Sequence, residues 1–164
     1  MTHLRYAVFG TGFWSQFQIS AWNEVGGVEL VAVYNRTFAR AEKIAARFNV
    51  PRASADAEEL LKHEALDFID IITEIDAHAP LVELAAKYRI PVICQKPMAP
   101  DLPTAERMVS ACQRAGIPLF IHENWRWQTP VRALKQALDS GIIGRPFRAR
   151  LELEARQPFH LLWA

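Results

Sequence analysis

The chain has 164 residues, with 19 basic against 18 acidic side chains for a formal charge of +1, and is 51% hydrophobic and 23% charged. This suits a soluble globular protein with apolar material for one core and the start of a second, and it lacks the basic surplus by which proteins hold nucleic acid. No apolar run approaches the ~20 residues of a membrane helix, the opening MTHLRYAVFG has no export-leader pattern, and Cys94 and Cys112 show no metal spacing; a cytoplasmic protein with no membrane, metal or nucleic-acid partner is expected.

The first apolar run, residues 4–10, reads as a strand, followed by a helix from about 12 to 24. Between them Gly10-x-Gly12-x-x-Ser15 has the spacing of a dinucleotide fingerprint, with serine at the third small position. Gly10 would make the tight turn, and Gly12, lacking Cβ, would let the main chain approach a diphosphate. Amides at the helix start would bind the anion, and Ser15 would let helix and strand pack closely. Thr11, Phe13 and Trp14 belong to the same loop and join Gly10 and Gly12 as coenzyme-binding candidates. A glycine turn that holds no ligand is the plain alternative. The next strand, VELVAVYN, ends at Asn35 and Arg36, with Thr37 and Arg40 close behind. NAD-binding domains usually carry a carboxylate there to accept from the ribose 2′-hydroxyl. With Asn35 no charge repels a 2′-phosphate, and Arg36 can pair with it and lie over the adenine. NADP is therefore favoured over NAD, against a reading in which the arginines are solvated and Asn35 serves NAD.

A helix follows from about 37 to 48, where Ala41, Ile44, Ala45 and Phe48 recur at helical spacing. A short helix near DAEELLKH, a strand LDFIDIIT, a helix APLVELAAKY and a strand IPVICQ continue the alternation. The helix from about 102 to 115 has Asp101 as N-cap and Gly116 as its stop, and IPLFIH is the next strand. Short strands that are apolar on both faces, alternating with helices, imply right-handed crossovers and a doubly wound parallel α/β sheet over residues 1–122. Gln95, Lys96 and Pro97 fall at the carboxyl end of a strand, the edge where such sheets bind ligands. Beside a cationic nicotinamide ring the Lys96 ammonium would lose its proton more readily and serve as a general base; a solvated lysine is the alternative.

In HENWRWQTP the polar residues Asn124 and Arg126 stand among Trp125 and Trp127. Asn124 and Arg126 are substrate-binding candidates, against a reading in which Arg126 pairs with a carboxylate, and the tryptophans are read as hinge packing. A helix at about 130–140 leads into FRARLELEAR, whose strict alternation marks a one-sided strand over 147–155. Residues 123–164 thus read as the incomplete beginning of a second, α+β domain. An unpaired strand with an apolar face invites association, and a homo-oligomer is expected.

Taken in order, AVFGTGFWSQF, VAVYNRT, IDIITEIDAHAPLVELAAKYRIPVICQKPMA and SGIIGRPFRARLELEA resemble the N-terminal half of the Gfo/Idh/MocA oxidoreductases, NAD(P)-dependent dehydrogenases of sugars, inositols and related polyols. The resemblance implies hydride transfer between a sugar or polyol hydroxyl carbon and nicotinamide, with Lys96 in the catalytic site. The family usually reads Glu-Lys-Pro where this chain has Gln95, Lys96 and Pro97; an amide can still hydrogen-bond the ribose or the lysine but cannot tune a charge in the same way. It also places Thr-Pro and then a histidine after the strand at 68–72. Thr73 and His78 match that pattern, with Glu74 in the proline position, so both are expected in the coenzyme cleft; a helix-capping His78 is the alternative. In the family the junction at HENWRWQTP borders the substrate, and the second domain supplies an aspartate and a histidine, so little turnover is expected of these 164 residues alone. A non-catalytic NAD(P)-binding module that associates through the strand at 147–155 is the rival. A methyltransferase using S-adenosylmethionine would want an acidic residue at Asn35 and has no use for Lys96.

Overall fold

Six strands, β1 (Leu4–Phe9), β2 (Val28–Tyr34), β3 (Arg52–Ser54), β4 (Phe68–Ile71), β5 (Val92–Gln95) and β6 (Leu119–His122), form one parallel sheet in the order β3-β2-β1-β4-β5-β6. The computed structural model describes residues 3–150 and Glu152. The chain divides into two units, Met1–Glu123 and Asn124–Ala164. The order of the strands reverses direction at β1, and β4 lies beside it; their carboxyl ends form the crevice where doubly wound sheets take ligands. Among the described residues no helix is long and apolar enough to cross a membrane.

Alternation along the strands gives each face its own core. Tyr6 and Val8 of β1, with Phe68 of β4, pack against Ile19 of α1 (Ser15–Val25) and Ala41, Ile44 and Ala45 of α2 (Phe38–Phe48). Ala7 and Phe9, with Ile69 and Ile71, pack on the opposite face. There they meet α3 (Ala57–His63), α4 (His78–Lys87) and α5 (Leu102–Ala115). Burial on both faces explains why the strands read as continuous apolar runs. The same period places Asp70 of β4 on the α1 face between Phe68 and Ile72, fully buried.

The expected capping of α5 is present: the Asp101 carboxylate accepts from the Thr104 N–H at 2.8 Å, and Gly116 adopts the left-handed conformation that ends the helix. Strand β3 is an addition to the predicted elements. Its three residues are too few to show a period, and it exists because β2 offers a free edge to Arg52–Ser54.

The second unit holds a 3₁₀ turn, Trp125–Trp127, and helix α6 (Thr129–Asp139), which carries a Lys135–Asp139 ion pair one turn apart. The expected strand at 147–155 is not formed over 147–150, where no neighbouring strand among the described residues supplies hydrogen bonds and Phe147 is exposed. Residues 151 and 153–155 of that expectation lie outside the described residues.

Candidate functional site

The two glycines of the first loop answer to different constraints. Gly10 has φ +107°, and a Cβ there would sit 2.4 Å from the Ile72 carbonyl oxygen and 2.9 Å from Thr73 Cγ2. This is the close approach of β1 to the end of β4, held by Ile72 N–H donating to Phe9 O at 2.7 Å, while Gly10 N–H donates to Tyr34 O of β2 at 2.9 Å on the other side. At Gly12 an added Cβ meets nothing within 4 Å and the backbone is not left-handed. Nothing in the protein's own packing accounts for that glycine. Helix α1 begins at Ser15, later than expected, because Phe13 and Trp14 complete a turn first. Ser15 is buried, and its hydroxyl donates to Gly12 O at 2.7 Å, pinning the loop. Trp14 at the N-cap offers no side-chain cap; the Ser15 and Phe17 N–H groups donate to Gly12 O and Trp14 O at 3.2 and 3.1 Å, which leaves the Gln16 N–H and the loop amides before it for an anion. The rings of Phe13, Trp14 and Phe17 pack on one another at 5.1–5.8 Å between centroids and stay exposed.

Beside this loop lies a cavity of about 610 Å³ lined by residues that include Gly10, Asn35, Arg36, Arg40, Thr73 and Asp76. Trp14 is not part of its wall. Asn35 Oδ1 accepts from Thr37 N–H at 2.9 Å, so its oxygen is committed to the turn and its amide nitrogen is what remains for a ligand. Arg36 is exposed and has no hydrogen bond or ion pair among the described residues. Two carboxylates, Glu74 and Asp76, share the cavity, and no local signal in the sequence assigns them to it. The hydroxyls of Thr11 and Thr73 are buried without a partner among the described residues. Orphaned hydroxyls, an open glycine and uncapped amides fit a ligand that brings its own hydrogen-bonding oxygens, as a dinucleotide does. A wider depression of about 850 Å³ runs over the exposed sides of α4 and α5 and reaches no strand end.

Lys96 follows β5 at the same sheet edge and is half-buried; its backbone N–H donates to Gln95 Oε1 at 2.9 Å, and the Lys96–Pro97 peptide is cis. His78 does not cap α4, whose N-cap is Ala77, and it is not among the residues lining the cavity beside the first loop. The ring is buried, with Nδ1 3.2 Å from Pro97 O and 3.3 Å from Met98 O, and Nε2 3.1 Å from Thr73 O. It is packed between the loop after β4 and the loop after β5; all its neighbours there are carbonyl oxygens, and the ring N–H of the neutral form donates to one side only.

Behind the edge is a group that the sequence does not announce. Asp70 accepts from Gln18 Nε2 through both oxygens, at 2.8 and 2.7 Å, and from Trp22 Nε1 at 2.8 Å. Burial pushes its carboxyl above the ordinary carboxylate value, and the hydrogen bonds from Trp22 and Gln18 oppose that rise. In the second unit, Asn124 precedes the Trp125–Trp127 turn, and the Arg126 guanidinium lies over the Trp127 ring, 5.2 Å from its centroid.

The family described as oxidoreductases with an NAD-binding Rossmann fold, Gfo/Idh/MocA, matches residues 4–123. D-apiose dehydrogenase of Rhizobium rhizogenes is 42% identical over 155 residues, which cover 94% of this chain and 45% of that protein. The NADP(+)-type D-xylose 1-dehydrogenase of Haloarcula marismortui is 29% identical, over 87% of this chain and 41% of its own. The crystal structure of an oxidoreductase from Agrobacterium radiobacter in complex with NAD+, L-tartaric acid and magnesium superposes with a TM-score of 0.85 at 43% identity, over 89% of this chain and 43% of that one. The chain thus spans less than half the length of these relatives.

Proposed function

This chain belongs to the Gfo/Idh/MocA oxidoreductase family, NAD-binding Rossmann fold, and on that premise we propose that it is the coenzyme-binding part of a sugar or polyol dehydrogenase. The observation that carries the proposal is Gly12, a glycine faced by empty space at the uncapped start of α1. In this reading the amides of that loop hold the coenzyme diphosphate, and Thr11 and Thr73 supply hydroxyls to it. Arg36 pairs with the 2′-phosphate of NADP. The bound coenzyme supplies the hydride acceptor or donor at its nicotinamide ring. Lys96, at the end of β5, moves the proton of the substrate hydroxyl. The second unit contributes Asn124 and Arg126 to substrate hydroxyls, an assignment that rests on their chemistry alone.

Glu74 and Asp76 in the Arg36 cavity favour a second reading, NAD as the coenzyme, because a carboxylate accepts from a ribose 2′-hydroxyl and repels a phosphate. Calorimetric titration of the chain with NADP and with NAD separates the two. We expect NADP to bind more tightly, and Arg36→Ala to weaken NADP by roughly ten-fold or more while leaving NAD unchanged, as for a charge-assisted hydrogen bond. Equal affinities untouched by the substitution would remove the case for NADP. No binding of either would remove the function.

A further inference from the structure

The buried carboxylate of Asp70 and the backbone of Lys96 are joined by two amide side chains, and the direction of every hydrogen bond between them is set at one end. Both contacts of Gln18 with Asp70, and that of Trp22, place an N–H against a carboxylate oxygen. A carboxylate only accepts, so the Gln18 amide nitrogen must face it. Gln18 Oε1 then points the other way, where Gln95 Nε2 lies at 2.9 Å. That oxygen also only accepts, so Gln95 must present its nitrogen, and its own oxygen turns to the Lys96 N–H at 2.9 Å. The second hydrogen of Gln95 Nε2 is directed at His122 Nδ1, 3.4 Å away. Gln18 and Asp70 are buried and Gln95 is half-buried, so neither amide can turn over and recover its bonds from bulk water.

We propose that Asp70, Gln18 and Gln95 form a one-way hydrogen-bond relay that positions Lys96, and that the amide at 95 is required by the carboxylate at 70. Gln18 and Gln95 are positioning residues, acting on the Lys96 peptide and through it on the side chain at the sheet edge. The relay stands on its hydrogen bonds; its bearing on proton transfer rests on the function proposed above.

The direction of the relay makes it testable by exchange of charge between its ends. In Gln95→Glu, a carboxylate faces Gln18 Oε1 and two acceptors oppose each other. In Asp70→Asn, the new N–H turns Gln18 over, Gln95 must follow, and its NH₂ then meets the Lys96 N–H. In the double variant Asp70→Asn/Gln95→Glu the reversed relay is complete: the new amide at position 70 donates to the Gln18 oxygen, the Gln18 nitrogen donates to the new carboxylate at position 95, and that carboxylate accepts from the Lys96 N–H. Each single change is expected to lower the folding equilibrium constant by roughly ten- to one hundred-fold, the range for one buried polar group left opposed. The double variant should recover at least about ten-fold over the product of the two losses. If the singles do not fold, folding of the double variant is the expected result. Proton NMR supplies a readout that general stability does not: the Lys96 amide resonance should shift upfield in Asp70→Asn, where its acceptor is lost, and return in the double variant. Additive losses, or a Lys96 amide indifferent to both changes, would overturn the relay. Neither readout needs coenzyme, so failure here is separate from failure to bind NADP or NAD.

Discussion

Replacing Gly10 and Gly12 by alanine, one at a time, separates a glycine needed for folding from one needed for a ligand. At position 10, φ is +107°, a region that costs a side chain about 1–3 kcal/mol. The alanine methyl would also lie 2.4 Å from Ile72 O and 2.6 Å from Ile72 C, main-chain atoms that no rotamer change can move. Relief requires the ends of β1 and β4 to part, at the expense of the Ile72–Phe9 hydrogen bond, which contributes about 1 kcal/mol net. Gly10→Ala should therefore destabilise the domain by about 2–4 kcal/mol, a large part of the ~5–15 kcal/mol that holds a protein of this size. At position 12 the methyl meets nothing and the backbone is unstrained, so stability should stay within about 0.5 kcal/mol of the parent or rise slightly. The loss should appear in binding instead: a methyl between the loop amides and the diphosphate should weaken coenzyme by at least about ten-fold, or ~1.4 kcal/mol. Urea denaturation and calorimetric titration of both variants read the two quantities. Gly12→Ala that binds coenzyme like the parent, or that is as unstable as Gly10→Ala, would refute the reasoning.

Asp101→Ala removes the acceptor of the Thr104 N–H and should cost about 1 kcal/mol in urea denaturation, leaving coenzyme affinity unchanged. His78→Ala should cost about 1–3 kcal/mol by removing a buried ring and the one hydrogen bond its N–H donates to a loop carbonyl, and should weaken coenzyme as well, because the loops it packs between carry Thr73 and Lys96; a variant that loses stability but keeps full affinity would show that this packing does not serve the cleft. Cys94 and Cys112 are buried, and burial pushes the Cys94 thiol up to about 12, so a thiol reagent at neutral pH should label both only after denaturant is added. Between pH 9 and 12 the unfolded Cys94 thiol has lost its proton while the folded one keeps it, so the native state binds more protons and stability falls as pH rises; the contribution is whole below pH 9.0 and lost through about 12, at most roughly 4 kcal/mol. Cys94→Ala should flatten that alkaline decline, and an unchanged slope would contradict it.

The features legible in the sequence are those whose cause is local. Asp101 and Gly116 bracket α5 because a cap and a left-handed stop each act within one helical turn. The loop from Gly10 to Ser15 is legible for the same reason, since strand, turn and helix are adjacent in the chain and the spacing of small residues encodes their meeting. What escapes the sequence depends on distant partners. Asp70 stands in LDFIDIIT as one polar residue in an apolar strand, and period alone puts it on the α1 face without saying what meets it there. Its partner Gln18 is 52 residues away, and Gln95 lies 77 residues from Gln18. Only the β1-β4-β5 order of the sheet brings these three together. The surroundings of His78 escape the sequence on the same ground: it reads as a coenzyme-cleft residue, with a helix cap as the alternative, and its neighbours in the chain cannot reveal that the carbonyls of Pro97 and Met98 arrive beside its ring. The substitution of glutamine for the family's usual glutamate beside Lys96 looks, in sequence, like a lost charge. In the fold a buried carboxyl, Asp70, lies one strand over, and the amides of Gln18 and Gln95 link it to the Lys96 peptide.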